Sequence, residues 1–239
     1  MSSLLQVEEE LSEILGKLEP EIADAEPQID RAAELNKKWK VKTGDLWRVG
    51  EHRILCGDCL SESDVKRAKG GNHIGVTVID PPFEMNQLPH ISDPCIVFGQ
   101  AKHLRMIPDA LWRFERVIDK VQQHRSATVQ IGHRHAFIAQ CGTVKKLPDS
   151  SETYPSIVTR EDRPDHPHQK SLELLIEHLT VWTPDWMVAF DPFYGSGTTM
   201  VACENLGRKC CGIEISPDYC AVILQRMKDA FPSLKIELS

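Results

Sequence analysis

The chain has 239 residues, 41% hydrophobic and 26% charged, with a formal net charge of −7. These values exclude wholesale disorder, collagen and coiled-coil architecture, and no run of about 18 apolar residues offers a transmembrane helix, so no membrane partner is expected. Eight cysteines and an N-terminus with neither a basic nor an apolar leader fit reduced thiols in a cytoplasmic protein better than a disulfide framework.

Leu4, Val7, Leu11, Ile14, Leu15 and Leu18 recur at intervals of three and four, a helical stripe that offers a packing or homodimer face. Pro20 and Pro27 end that helical pattern, and residues 29–40 read as a second short helix. Residues 1–40 hold ten acids against five bases. Residues 1–43 are therefore taken as an acidic helical extension of a main domain at 44–239. Leu46–Val49 and His52–Leu55 read as short strands around Gly50-Glu51. Ser61-Glu62-Ser63-Asp64 has the form of a capping box and predicts a helix ending near Gly70-Gly71. Val76–Ile79 is a continuous apolar run of the kind found in strands buried on both faces, and Ile96–Phe98 is another.

Between Leu104 and Gln140, helix and strand patterns alternate. Residues 101–146 carry nine Lys/Arg against three acids, together with His103, His124, His133 and His135. A basic segment in an acidic chain can meet phosphates locally. Further on, the pattern predicts a helix at Ser171–Leu179, a strand at Trp186–Phe190, a helix at Thr198–Leu206, a strand at Lys209–Ile213 and a helix at Asp218–Ala230. Strand–turn–helix–strand–helix implies an α/β fold, mostly parallel, with helices on both faces.

Three motifs carry chemistry. The turn Asp191–Gly197 joins a buried strand to a helix; its glycines let a ligand approach the backbone, and the helix start offers N–H groups. Glu214 ends the next strand, 17 residues after Gly197, where a carboxylate can accept hydrogen bonds from a ribose diol. Asp80-Pro81-Pro82-Phe83 follows the buried strand Val76–Ile79. Its two prolines stiffen a ledge that presents a carboxylate, carbonyl acceptors and an aromatic ring. Cys56 and Cys59 have the spacing of half a zinc site, but no second such pair exists and they are read as plain core cysteines. No metal is expected. His133-Arg134-His135 reads as part of the basic segment.

Asp80-Pro81-Pro82-Phe83 together with Asp191-Pro192-Phe193-Tyr194-Gly195-Ser196-Gly197-Thr198-Thr199 resembles the S-adenosylmethionine-dependent amino-methyltransferases of DNA, the N6-adenine/N4-cytosine family. With the ledge first and the cofactor turn second, the order is similar to the permuted β group. Leu55-Cys56-Gly57-Asp58, His166-Pro167-His168-Gln169-Lys170-Ser171 and Gly212-Ile213-Glu214 to Tyr219 resemble further segments of the family. The stretch Gly44–Asp58 resembles methyltransferases of phages and mobile elements.

The resemblance implies a Rossmann-like methyltransferase fold binding S-adenosylmethionine through Asp58, Lys170, Asp191, Phe193, Gly195, Gly197, Thr198 and Glu214. It also implies a catalytic ledge of Asp80, Pro81, Pro82 and Phe83, acting on a base flipped from double-stranded DNA in a bacterial or phage-infected cell. A D-P-P ledge leans to N6 of adenine, and N4 of cytosine is the alternative. A catalytically weak DNA-binding module derived from the family is a further one. Phe83 stands where Tyr or Trp is commoner, and Ser171 stands where the family has proline. Only 12 residues separate Phe83 from Ile96, and the region for target recognition, about 100–165, is small.

Overall fold

A computed structural model describes residues 22–82, 84–89, 95–99, 112–120, 134–141, 172–182 and 187–239. The stripe at 4–18, Phe83 and the segment His166–Ser171, with Lys170, lie outside the described residues.

In chain order, a 3-10 turn at Ile29–Arg31 runs into helix α1 (Ala32–Trp39), followed by strands β1 (Leu46–Val49) and β2 (His52–Cys56) and helix α2 (Glu62–Lys69). Strands β3 (Ile74–Ile79), β4 (Cys95–Gly99), β5 (Trp112–Lys120) and β6 (Arg134–Cys141) come next. Helix α3 (Leu172–Trp182), strand β7 (Val188–Asp191), helix α4 (Thr198–Asn205), strand β8 (Cys210–Glu214), helix α5 (Pro217–Ala230) and strand β9 (Ile236–Leu238) complete the order.

The nine strands among the described residues form one sheet in the order β5-β6-β4-β3-β7-β8-β2-β1-β9. The five central strands, β4 to β2, are mutually parallel. The four outer strands add antiparallel flanks, so the stretch that reads ambiguously between Leu104 and Gln140 contains two paired strands, β5 and β6. The Rossmann-like core expected from the sequence is present.

Side chains along the central strands alternate between the two faces with the period of a pleat, and both faces are buried. Ile54, Cys56, Val76, Val78, Ala189 and Cys210 share one core with Leu35 of α1, Leu175 and Leu179 of α3, Val201 of α4 and Ile223 of α5. Leu55, Phe190, Cys211 and Ile213 share a second core, on the other face, with Ala68 of α2. Burying each such aliphatic side chain contributes about 1.5–3 kcal/mol. Helix α2 starts at Ser61, whose hydroxyl accepts the Asp64 N–H at 3.3 Å. The Asp64 carboxylate does not close the box on Ser61; it accepts the Asp58 N–H at 3.0 Å. No helix among the described residues is long and apolar enough to cross a membrane.

The parallel strands all end at one edge. Chain connections run from β7 through α4 to β8 on one side, whereas β3 lies on β7's other side. This reversal of strand order opens a crevice at the carboxyl ends of β3, β7 and β8, where open α/β sheets bind ligands.

Candidate active site

The Asp191 side chain, at the end of β7, is buried. Its carboxylate accepts the Phe193 N–H at 2.8 Å and the Thr199 hydroxyl at 2.5 Å. An aspartate that bonds its own backbone two residues on makes a tight turn; the bond to Thr199 ties that turn to the first residues of α4. Gly195 and Gly197 have φ of +54° and +84°, the left-handed region that glycine enters without steric cost. Gly197 is the N-cap of α4 and brings no side chain to cap it. Thr198 is buried, and its hydroxyl accepts from Arg226 at 3.2 Å. Phe193 is half-buried.

Strand β8 is held hard against this turn. The Tyr194 N–H donates to the Ile213 carbonyl at 3.0 Å. A Cβ on Gly212 would sit 2.3 Å from the Asp191 carbonyl oxygen and 2.7 Å from the Tyr194 ring, so only glycine fits there. Burial pushes the Tyr194 phenol well above its ordinary pKa, so it stays protonated, 3.0 Å from Cys210 Sγ.

Glu214 follows directly. One carboxylate oxygen accepts the Gly195 N–H at 2.8 Å and the other accepts the Ser216 N–H at 2.9 Å. Burial pushes this carboxyl above the ordinary carboxylate range. The Ser216 and Gly195 N–H groups pull in the opposite direction, and the Asp191 charge adds to the rise. The two amides fix the plane of the carboxylate, and each oxygen keeps a lone pair for a second donor.

On the far side of β8, the Gly57 N–H donates to the Glu214 carbonyl at 3.0 Å, which brings the loop after β2 beside Glu214. Asp58 is exposed there, its carboxylate accepting the Leu60 N–H at 2.9 Å. Asp64 holds the Asp58 backbone, and a Cβ on Gly57 would lie 2.7 Å from the Asp64 carboxylate. Two large apolar side chains face solvent on these adjacent loops: Ile215, 69% exposed, and Leu60, 46% exposed.

On the other side of β7, the register Thr77↔Phe190 carries β3 to the same edge, so Asp80, half-buried, opens its turn beside the Asp191 turn. Pro81 is buried and Pro82 is exposed. The structure thus brings Asp58, Asp80, Pro81, Pro82, Asp191, Phe193, Gly195, Gly197, Thr198 and Glu214 to one edge of the sheet.

A family model described as DNA methylase matches residues 17–225. The chain belongs to this family of DNA methylases. The chain is 38% identical over 64 residues to the orphan methyltransferase M.BamHII of Bacillus amyloliquefaciens, covering 27% of this chain and 24% of that protein. It is 49% identical over 37 residues to the type II methyltransferase M.SmaI of Serratia marcescens, covering 16% of this chain and 13% of that protein. The matched segments thus span about a quarter or less of the length of these curated relatives. Among solved structures, the M1.HpyAVI–SAM complex is similar with a TM-score of 0.60 at 21% identity, over 73% of this chain and 98% of that one. The cytosine-N4-specific PvuII DNA methyltransferase has a TM-score of 0.55 at 13% identity, over 74% of this chain and 86% of that one. At these identities the likeness shows the fold.

Three features of the candidate site escape a sequence reading. Asp64 looks like a capping residue yet orients Asp58. Ile215 is a lone apolar residue between Glu214 and Ser216, without periodicity to mark it. Arg226 looks like a solvated helix residue, but its side chain is buried under the Gly195–Thr198 turn.

Proposed function

We propose that the methylase transfers a methyl group from S-adenosylmethionine to the exocyclic amine of a base flipped out of double-stranded DNA, with N6 of adenine as the target. The observation that carries this is the convergence of the Asp80-Pro81-Pro82 ledge and the Asp191–Glu214 cradle on one sheet edge.

The residues present fit the cofactor. A Cβ on Gly195 would meet nothing nearer than the Phe193 carbonyl oxygen at 3.9 Å, so the outer side of the turn is open for close approach. The Glu214 carboxylate, aligned by two amides, keeps acceptors for a ribose diol. Exposed Ile215 offers an apolar face for a purine, with Asp58 beside it as an acceptor for an amine. The uncapped start of α4, with the turn amides, suits the carboxylate of a methionine. Gly197 and Thr198 shape that start, and Asp191 works from within by holding the turn. Phe193 and Lys170 are assigned to the same site by resemblance to the family.

Bound S-adenosylmethionine supplies an electrophilic methyl group on a sulfonium. The protein's part is positioning and electrostatics. The Asp80 carboxylate and the Pro81 carbonyl accept hydrogen bonds from the target amine, which aims the nitrogen lone pair at the methyl and disperses the charge that develops on nitrogen. The prolines hold both acceptors without an ordering cost at the moment of reaction. Phe83 is assigned to stacking on the base by resemblance to the family. The ledge-before-turn order fits the permuted β group, and the basic segment 101–146 would meet the DNA phosphates.

The test is incubation with labelled cofactor and unmethylated DNA, followed by nucleoside analysis. N6-methyladenine supports the reading, and N4-methylcytosine moves the target to the alternative base. The absence of transfer on a broad set of unmethylated DNAs refutes the activity.

A further inference from the structure

Arg226 projects from α5 into the interior and is 2% exposed. Its guanidinium has two occupied edges. One faces the segment before α1: Nε donates to Asp24 Oδ1 at 3.0 Å and to the Ala25 carbonyl at 2.9 Å, and Nη2 donates to Asp24 Oδ2 at 2.9 Å. The other faces the glycine turn: Nη1 donates to the Ser196 carbonyl at 3.0 Å, to the Thr198 hydroxyl at 3.2 Å and to the Ser196 hydroxyl at 3.4 Å. Ser196 sits between the two left-handed glycines, and Thr198 is the first residue of α4. One planar cation thus spans from the N-terminal segment to Ser196 and Thr198, on either side of the Gly197 N-cap of α4.

The same segment is pinned at the other end of α4. The Ala23 N–H donates to Asn205 Oδ1 at 2.8 Å, and Asn205 Nδ2 donates back to the Ala23 carbonyl at 2.8 Å. Residues 23–25 therefore bracket α4, gripping Asn205 at its C-terminal end and, through Arg226, the turn at its N-terminal end.

We propose that Asp24 and Arg226 are positioning residues for cofactor binding: the Asp24 carboxylate fixes the guanidinium, which in turn holds the Ser196–Thr198 turn in its binding shape. The proposal rests on the assignment of that turn to S-adenosylmethionine. A buried guanidinium is tolerable only when its charge is paired and its donors are satisfied. The two-pronged pairing with Asp24 fixes the orientation as well as the charge. Without the carboxylate, the cation is drawn toward water, and Ser196 and Thr198 lose their common donor. The amides at the start of α4 then have to be ordered by the cofactor itself, at the expense of affinity. Coupling is reciprocal, so bound cofactor must also steady residues 22–28.

Two measurements test this on the full chain. The first is calorimetric affinity for S-adenosylmethionine in wild type, Asp24→Ala, Asp24→Glu and Glu34→Ala; the last removes an exposed ion pair with Arg31 in the same N-terminal region. Asp24→Ala is expected to weaken binding about tenfold, within the usual range for coupled sites. Asp24→Glu should restore affinity to within a few-fold, and Glu34→Ala should leave it unchanged. The second, on wild type alone, is amide hydrogen exchange, which should slow across residues 22–28 when the cofactor is added. Asp24→Ala binding as tightly as wild type, or exchange in 22–28 that ignores the cofactor, overturns the coupling while leaving the cofactor assignment standing. A wild-type protein that binds no S-adenosylmethionine overturns both.

Discussion

Removing the Glu214 carboxylate should weaken cofactor binding more than it weakens the fold. In the folded protein its oxygens accept the Gly195 and Ser216 amides at 2.8 and 2.9 Å. A hydrogen bond to a charged group contributes about 1.5–3 kcal/mol. Against this stands the burial that raises the carboxyl's pKa, so Glu214→Ala should cost the apo protein only about 1–2 kcal/mol, or roughly 2–4 °C of Tm per kcal/mol for a chain of this size. The cofactor loses the acceptor for its ribose hydroxyls, about 1–3 kcal/mol, which is roughly a five- to 150-fold rise in Kd. Acid should separate the two effects. Because the folded-state pKa is raised, protonation favours the fold: that contribution is full below the unfolded value and is lost as pH rises through the folded one. Protonation also removes an acceptor, so cofactor affinity should fall on acidification, starting above the ordinary carboxylate range. The assay is calorimetric titration with S-adenosylmethionine across pH, with thermal melts of the apo protein. An unchanged Kd in Glu214→Ala alongside an unchanged melt would refute the ribose assignment.

Asp80→Ala should reduce single-turnover methyl transfer on the order of a thousandfold or more while leaving cofactor affinity nearly intact, because its contact is with the target amine rather than the cofactor and strengthens as charge develops on the nitrogen; near-normal turnover would make the ledge structural. Replacing Arg113, Arg116 and Lys120 together by Ala should flatten the slope of log DNA affinity against log salt, since fewer phosphates would be neutralised; an unaltered slope would mean that these cations face only solvent. Burial and the Asp58 charge push the Cys59 thiol up to about 11, so its alkylation by iodoacetamide, followed by mass spectrometry, should be slow at pH 8 and rise about tenfold per pH unit until the thiolate forms; fast labelling at neutral pH would contradict the buried setting.

The β7–turn–α4–β8–α5 unit was legible because its strands are short apolar runs bounded by glycine, proline and acids. These are the signals that burial on both faces and tight strand ends require. The candidate site was legible for the same reason, since ligands gather where such strands end. Strands β5 and β6 were not, because Arg113, Glu115, Arg116 and Asp119 interrupt any clean alternation in β5, and β6 is fixed by pairing with β5 and with β4, which is distant in sequence. Strand β9 is too short, at three residues, to carry a period. Arg226 could not be read at all: its partner Asp24 lies 202 residues away, and an arginine on an amphipathic helix gives no local sign that it points inward.

Gly212 limits how this site can be altered. With room for no more than a hydrogen between β8 and the Asp191 carbonyl and Tyr194 ring, the spacing between Glu214 and Gly195 is set by the β8 main chain against that carbonyl and ring. Accommodating a bulkier cofactor analogue by spreading the strand ends would break the sheet at its centre. Room has to be carved instead from side chains on the flanking loops, with Phe193 and Ile215 the first to trim, and selection for altered cofactor use should collect its changes there while position 212 stays fixed.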